Sequence, residues 1–125
     1  EKQISVHKDV PLYKIVGVNI SGASQEIMKK LQPVIQNHSH LRHFGANALE
    51  MAMFAQGLID IFIDLRNKIR IQDIAAGYII VKEAGGLLLD EKFNTLDADL
   101  SYETRVSFVA AANQEILDDI FPKEK

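Results

Sequence analysis

Short apolar, β-branched runs alternate along the chain with stretches of helical period. Residues 1–10 are polar and mixed, a ragged start or a lead-in strand. Residues 13–20 are rich in β-branched side chains and close on Ser21-Gly22, the pattern of a strand and its turn. Ser24 then caps a helix to about Asn37, with Glu26 in the first turn where the helix dipole favours an acid. Pro33 has no N–H to give that helix, so a kink or a break into two pieces is expected there.

After the polar stretch 37–40, a short segment 41–44 runs into Gly45. Residues 46–56 read as a helix, with Leu49, Ala52, Met53 and Gln56 at helical spacing and Gly57 placed as its C-terminal stop. Residues 59–65 alternate with period two, a strand with one acidic side, and 66–70 follow as a basic connection. Asp73 opens the next helix, 74–84, which is apolar on nearly every face except at Lys82 and Glu83. Such a helix is expected to be buried on both sides. Gly85-Gly86 ends it, and 87–89 form a buried strand closed by Asp90. Residues 91–104 are a polar surface loop or hairpin, 106–111 a core strand, and Asn113 caps a last helix to about Phe121. Strands alternating with helices give an α/β layered domain.

Composition narrows the function more than the fold. The 125 residues are 47% apolar and 25% charged, the balance of a globular protein of one domain, and the net charge is −3. A nucleic-acid binder that neutralises phosphates needs a basic face, so no nucleic-acid partner is expected. There is no cysteine, which removes disulfides and thiolate metal sites. No apolar run nears the roughly 18 residues of a membrane span, and no signal-peptide core is present, so a cytoplasmic protein without a membrane partner is expected. The chain starts at Glu1 without an initiator Met, which suggests a piece of a longer protein.

Three features close in sequence carry candidate chemistry. The helix start at Gly45, Ala46 and Asn47 presents free backbone N–H groups to an anion or a sugar oxygen. Asp64 ends an acidic strand. Asp73 at a helix start reads either as a cap of the first-turn amides or as an oxygen donor to a hard cation such as magnesium. Arg66, Lys68 and Arg70 can pair with an anion beyond the strand. His38, His40 and His43 suggest a transition-metal site, but extended spacing puts His43 on the opposite side and no fourth ligand follows, so loop and surface roles are preferred.

Five ordered runs carry a family likeness: Arg42-His43-Phe44-Gly45-Ala46-Asn47-Ala48, Gly57-Leu58-Ile59-Asp60, Asp73-Ile74-Ala75-Ala76-Gly77, Val81-Lys82-Glu83-Ala84-Gly85-Gly86, and Ala110-Ala111-Ala112-Asn113. Over 41–116 the chain resembles the C-terminal part of the inositol monophosphatase family, in particular archaeal members with fructose-1,6-bisphosphatase activity. The resemblance implies a mixed sheet packed with helices. For the complete protein it implies a homodimeric, Mg2+-dependent phosphomonoesterase of sugar or polyol phosphates.

Asp73 matches the family's C-terminal aspartate, a magnesium ligand. Asp64 matches a substrate-contacting acid, and Gly45, Ala46 and Asn47 match the helix start that lies against substrate. Arg42 matches a structural arginine, and Arg66 a residue facing a substrate phosphate. Gln72 replaces a tryptophan and Ala46 a hydroxyl residue. The family's metal-binding glutamate, its D-P-x-D-G-[ST] loop and its water-activating threonine do not occur here, so no catalytic residue is assigned. The chain is expected to be an inactive C-terminal half. A silent dimerisation or regulatory module, and a phosphatase of NADP or adenosine bisphosphate, stand as alternatives.

Overall fold

A computed structural model describes residues 3–6, 14–38, 40–97 and 104–122. The elements run β1 (Val16–Val18), α1 (Gln25–Asn37), β2 (Leu41–Arg42), α2 (Asn47–Ala55), β3 (Ile61–Arg70), α3 (Ile71–Glu83), β4 (Leu87–Leu89), β5 (Arg105–Ala111) and α4 (Gln114–Ile120). They build a five-stranded mixed sheet in the order β2-β1-β3-β5-β4. β1 runs parallel to both β2 and β3, while β5 runs antiparallel to β3 and β4. This is the layered α/β arrangement expected from the alternation of strands and helices.

β3 organises the core. Ile61, Phe62, Ile63, Asp64 and Leu65 are all buried, so both faces of the strand are covered. Phe62 meets Phe108 of β5 edge to face, with ring centroids 5.4 Å apart. Two helix pairs flank the sheet. α2 packs on α3, where Gly77 leaves room for the buried Met51. α1 and α4 wall a cavity together with Phe93, whose ring lies 5.1 Å from that of Phe121.

Local chemistry sets the boundaries. Ser24 accepts from Ile27 N at the start of α1, and Asn113 accepts from Ile116 N at the start of α4. Gly57 (φ 82°) and Gly85 (φ 90°) take the left-handed conformation just past α2 and α3. Each lets its own N–H and the next one turn back onto the last carbonyls of its helix: Gly57 N to Phe54 O and Leu58 N to Met53 O, then Gly85 N to Lys82 O and Gly86 N to Val81 O.

Several expectations need correction. α1 is one uninterrupted helix across Pro33, not two pieces. The buried positions of α2 are Glu50, Met51, Phe54 and Ala55, while Leu49 is 52% exposed. The apolar stripe is rotated because a charged residue, Glu50, takes an inner position. The basic segment 66–70 belongs to β3 and is no connection: Ile69 and Arg70 pair with Val106 and Arg105. Residues 3–6 form no strand, although Val6 is buried and its N–H donates to Ala84 O. Tyr13 of the expected first strand, and much of the expected 91–104 loop, lie outside the described residues.

α3 departs furthest. It starts at Ile71, so Asp73 is its third residue and not its cap. Its buried side chains are Ile71, Ile74 and Val81, while Ile79 is 63% and Ile80 38% exposed. The helix is buried on one side only, because the described part of the chain packs against one stripe of an apolar cylinder.

Gly86 follows α3 where a Cβ would stand 2.7 Å from the buried Phe54 ring and 3.0 Å from Val81 Cγ1. Gly86→Ala is therefore expected to cost about 1–3 kcal/mol through overpacking. Denaturant unfolding should show a lower midpoint at unchanged slope. An unchanged midpoint would mean the ring can move aside freely.

Candidate functional site

Because β1, β2 and β3 are parallel, their carboxyl ends open on one edge of the sheet, the usual position of a ligand crevice in such folds. Asn19 follows β1 and His43 follows β2. Asp64 stands one step beyond the Val18–Ile63 pair on β3. The α2 start follows β2 after four residues. Gly45 (φ 77°) makes that turn, a conformation that glycine adopts without strain.

Asp64 is fully buried and fully occupied. Its Oδ1 accepts from Arg66 N at 3.2 Å and Arg66 Nε at 2.9 Å, and its Oδ2 from Arg66 Nη2 at 2.8 Å and Asn47 Nδ2 at 3.1 Å. A carboxylate only accepts, so it fixes the direction of the chain that follows. Asn47 must turn its amide N–H toward Asp64, which leaves Asn47 Oδ1 to accept from Asn19 Nδ2 at 3.2 Å. Asn19 Oδ1 then accepts from His43 Nε2 at 3.0 Å, which places the ring proton on Nε2. Ser21 Oγ lies 3.5 Å from the same nitrogen.

Arg66 is held from two sides, since its Nη1 donates to Ser21 O at 2.9 Å. Its Nε, Nη1 and Nη2 each give one N–H to these bonds. Of the five N–H groups of a guanidinium, two therefore remain. The bond to the Asp64 carboxylate pushes the Arg66 pKa further up, opposed by burial, so its charge is permanent. Lys68 Nζ donates to the neighbouring Gly22 O at 2.9 Å. The β1–α1 turn is thus tied to β3 by two cations. β3 makes room for this by a register shift: five steps from Asp64 to Ile69 face two from Phe108 to Val106, with Asn67 at φ 57° inside the irregularity.

Glu50 lies beneath the α2 turn. It is fully buried, its Oε1 accepts from Phe44 N at 2.8 Å, and its Oε2 has no partner. Burial raises its pKa above the usual glutamate value. The Phe44 bond, His43 and Arg66 oppose that shift, and Asp64 adds to it.

The residues singled out in the sequence thus fall into two groups. Asn47, Asp64 and Arg66 meet directly, and Gly45 and Ala46 form the turn beside them. Ala46 occupies the cap position of α2 without any side-chain cap, so the first amides of the helix have no side-chain partner there. Asp64, expected to touch substrate, is buried with both oxygens engaged by Arg66 and Asn47. Asp73 stands apart. Its oxygens accept from Arg70 Nε at 3.0 Å, Arg70 Nη2 at 3.2 Å and Arg70 N at 3.4 Å, and it is 42% exposed. The last of these bonds is the backward reach of a third-position acid to the residue before the helix. The Arg70 guanidinium holds the Asp73 carboxyl below the usual carboxylate range.

Asn19, Ser21, His43 and Glu50 were not anticipated. For Asn19 the only signal was a polar residue closing a strand beside a strand that ends on Asp64. His43, read as a surface residue, is exposed on the outer end of the hydrogen-bonded chain. Among the described residues no three His, Asp or Glu side chains gather as a metal site, the three histidines of 38–43 included. Asp73 is a suitable hard-oxygen donor for magnesium, but one carboxylate does not hold that ion.

The profile of the inositol monophosphatase family matches residues 2–123. Over 80 residues the chain is 45% identical to a fructose-1,6-bisphosphatase/inositol-1-monophosphatase of Methanocaldococcus jannaschii, covering 64% of this chain and 32% of that protein. Over 71 residues it is 42% identical to a bifunctional NADP phosphatase/NAD kinase of Methanococcus maripaludis, covering 57% of this chain and 12% of that one. Among solved structures, an inositol monophosphatase-fructose 1,6-bisphosphatase superposes with a TM-score of 0.82 at 36% identity, over 96% of this chain and 47% of its own. The chain spans half or less of the length of the proteins it matches.

Removing the acceptor at the centre of the cluster leaves a largely buried guanidinium without its partner. Asp64→Ala is expected to cost about 3–5 kcal/mol. Asp64→Asn should recover little, because one amide oxygen cannot accept four donors and its NH2 faces one of them. Thermal or denaturant unfolding measures both, and a midpoint within error of wild type for either would contradict the assignment.

Proposed function

The chain belongs to the inositol monophosphatase family, and we propose that it supplies one part of the substrate site of a Mg2+-dependent phosphomonoesterase. The substrate class is a small sugar or polyol phosphate, of the inositol-1-phosphate or fructose-1,6-bisphosphate kind. One observation carries this reading: a fixed guanidinium with two free N–H groups and an uncapped helix start meet at the carboxyl edge of three parallel strands.

Each residue then has a role that follows from its setting. Arg66 offers its two remaining N–H groups to a phosphate, and Asp64 keeps that fork in place. The amides at Gly45, Ala46 and Asn47 face the oxygens of the polyol, aided by the positive end of the helix dipole. In the reaction a water oxygen bonds to phosphorus as the bond to the sugar oxygen breaks, the water gives up a proton, the sugar oxygen gains one, and the alcohol leaves. Asp73 would give one oxygen to a magnesium ion, giving up part of its bonding to Arg70. The remaining carboxylates and the group that activates water belong to the part of the protein beyond this chain. The exposed apolar side of α3 supports that division, since it leaves Ile79 and Ile80 uncovered on the helix that carries Asp73 in its first turn.

The name of the Methanococcus maripaludis relative favours a second reading with the same chemistry, in which the phosphate is carried by NADP. Arg66 would then face the phosphate of a nucleotide. Phosphate release from both substrate kinds by the whole protein separates the two.

The 125-residue chain alone should release no phosphate from inositol-1-phosphate or fructose-1,6-bisphosphate in millimolar Mg2+. Turnover by the purified chain would sink the partial-site reading. In the whole protein, Asp73→Asn should lower Mg2+-dependent phosphate release by at least about 100-fold. Loss of even an outer-shell partner of a metal site costs about 10–100-fold. Unchanged activity in that variant would remove Asp73 from the metal site.

A further inference from the structure

Glu50 is a buried carboxyl near the site that the proposed reaction does not use. A charged residue on the inner face of a helix needs a reason, because burial without pairing is costly. Its neighbours do not pair it. Among the described residues no basic side chain bonds to it, its Oε1 takes the N–H of Phe44, and its Oε2 takes nothing. The Phe44 bond spans six residues and closes the segment 44–50 on itself. Inside that closed segment lie Gly45, with its positive φ, the uncapped Ala46, and Asn47, which links Asp64 to Asn19.

We infer that Glu50 is a positioning residue, whose carboxyl fixes the 44–47 turn and so the place at which Asn47 and the α2 start are presented. A side-chain cap at Ala46 would normally do this from outside the helix. Here the tie comes from underneath, which leaves the first amides of α2 open. Its effect on turnover rests on the phosphatase reading above; its effect on the turn does not.

The unpaired Oε2 gives the tie a dependence on pH. The ionisable groups facing Glu50 are His43 from the turn before α2, and Asp64 and Arg66 from β3. With the folded pKa above the unfolded one, the folded state binds more protons between the two values. Stability therefore falls as pH rises from the ordinary glutamate value through the raised one. A glutamine at this position keeps an accepting oxygen and cannot ionise. A leucine keeps the burial and loses the acceptor.

Amide hydrogen exchange of the 125-residue chain, with unfolding measured from pH 4 to 8 in parallel, tests the inference. In Glu50→Leu, Phe44 and its neighbours up to Asn47 should exchange about tenfold faster, the size of one lost hydrogen bond, while β5 amides keep their protection. Glu50→Gln should retain the wild-type protection of Phe44 and flatten the pH dependence of stability. Unchanged exchange at Phe44 in Glu50→Leu overturns the inference, as does loss spread evenly over β5 and the turn. If Glu50→Leu does not fold, Glu50→Gln decides alone: a Phe44 amide that exchanges as in a free peptide overturns it. None of these readouts requires phosphatase activity, so failure of the functional reading is scored separately.

Discussion

A carboxylate with four donors around it sets the arrangement of this domain's functional edge. Asp64 sits on the central strand with no exposure, and its charge is offset by one guanidinium delivered from two residues further along the same strand. A buried ion pair of this kind contributes little net stability, because desolvation takes back most of the Coulomb gain. Its value is directional. An acceptor-only group forces Asn47 and then Asn19 into single amide orientations and gives His43 its proton position. One acid on β3 thereby orders residues from the turns after β1 and β2 and from α2.

The same acid explains why β3 is irregular. Asp64 Oδ1 accepts from Arg66 N two residues on, a local turn of the backbone that competes with the strand ladder. The extra residues between Asp64 and Ile69 bend the strand and bring both cations to the adjacent carbonyls of Ser21 and Gly22. The turn before α1 is thus clamped from β3, and α2 is clamped through Asn47. The edge is rigid at its two helix starts, while the guanidinium between them keeps two donors uncommitted.

Much of the fold was legible because it is written in local chemistry. Ser24, Asn113, Gly57 and Gly85 punctuate helices by mechanisms that need only their immediate neighbours. The runs around Gly45, Asp73 and Gly85-Gly86 carried the family, which the profile match over 2–123 shows. What stayed hidden depends on partners far along the chain. Period two made Asp64 the end of a strand, but only the long β5 pairing shows that the strand continues to Arg70. Glu50 looks like any first-turn acid until Phe44 N is found beneath it. α3 reads as buried all round since its composition is apolar all round, yet composition states what a surface can do and not whether a partner is present.

Asp73 shows how these levels combine. Locally it is the third residue of a helix, tied back to Arg70 in a bidentate, exposed pair that salt and solvent weaken. Such a pair is easily exchanged for a harder cation, whereas the Asp64 pair is not, because four donors would have to be released together. The two aspartates of this short stretch therefore divide along burial. The enclosed one is committed to holding other residues in place, and the open one is available to a ligand. On the proposed reading that division is what a shared site requires. The rigid part, Arg66 with the α2 start, is completed within this chain, and the exchangeable part, Asp73, sits in the first turn of α3, where Ile79 and Ile80 are exposed.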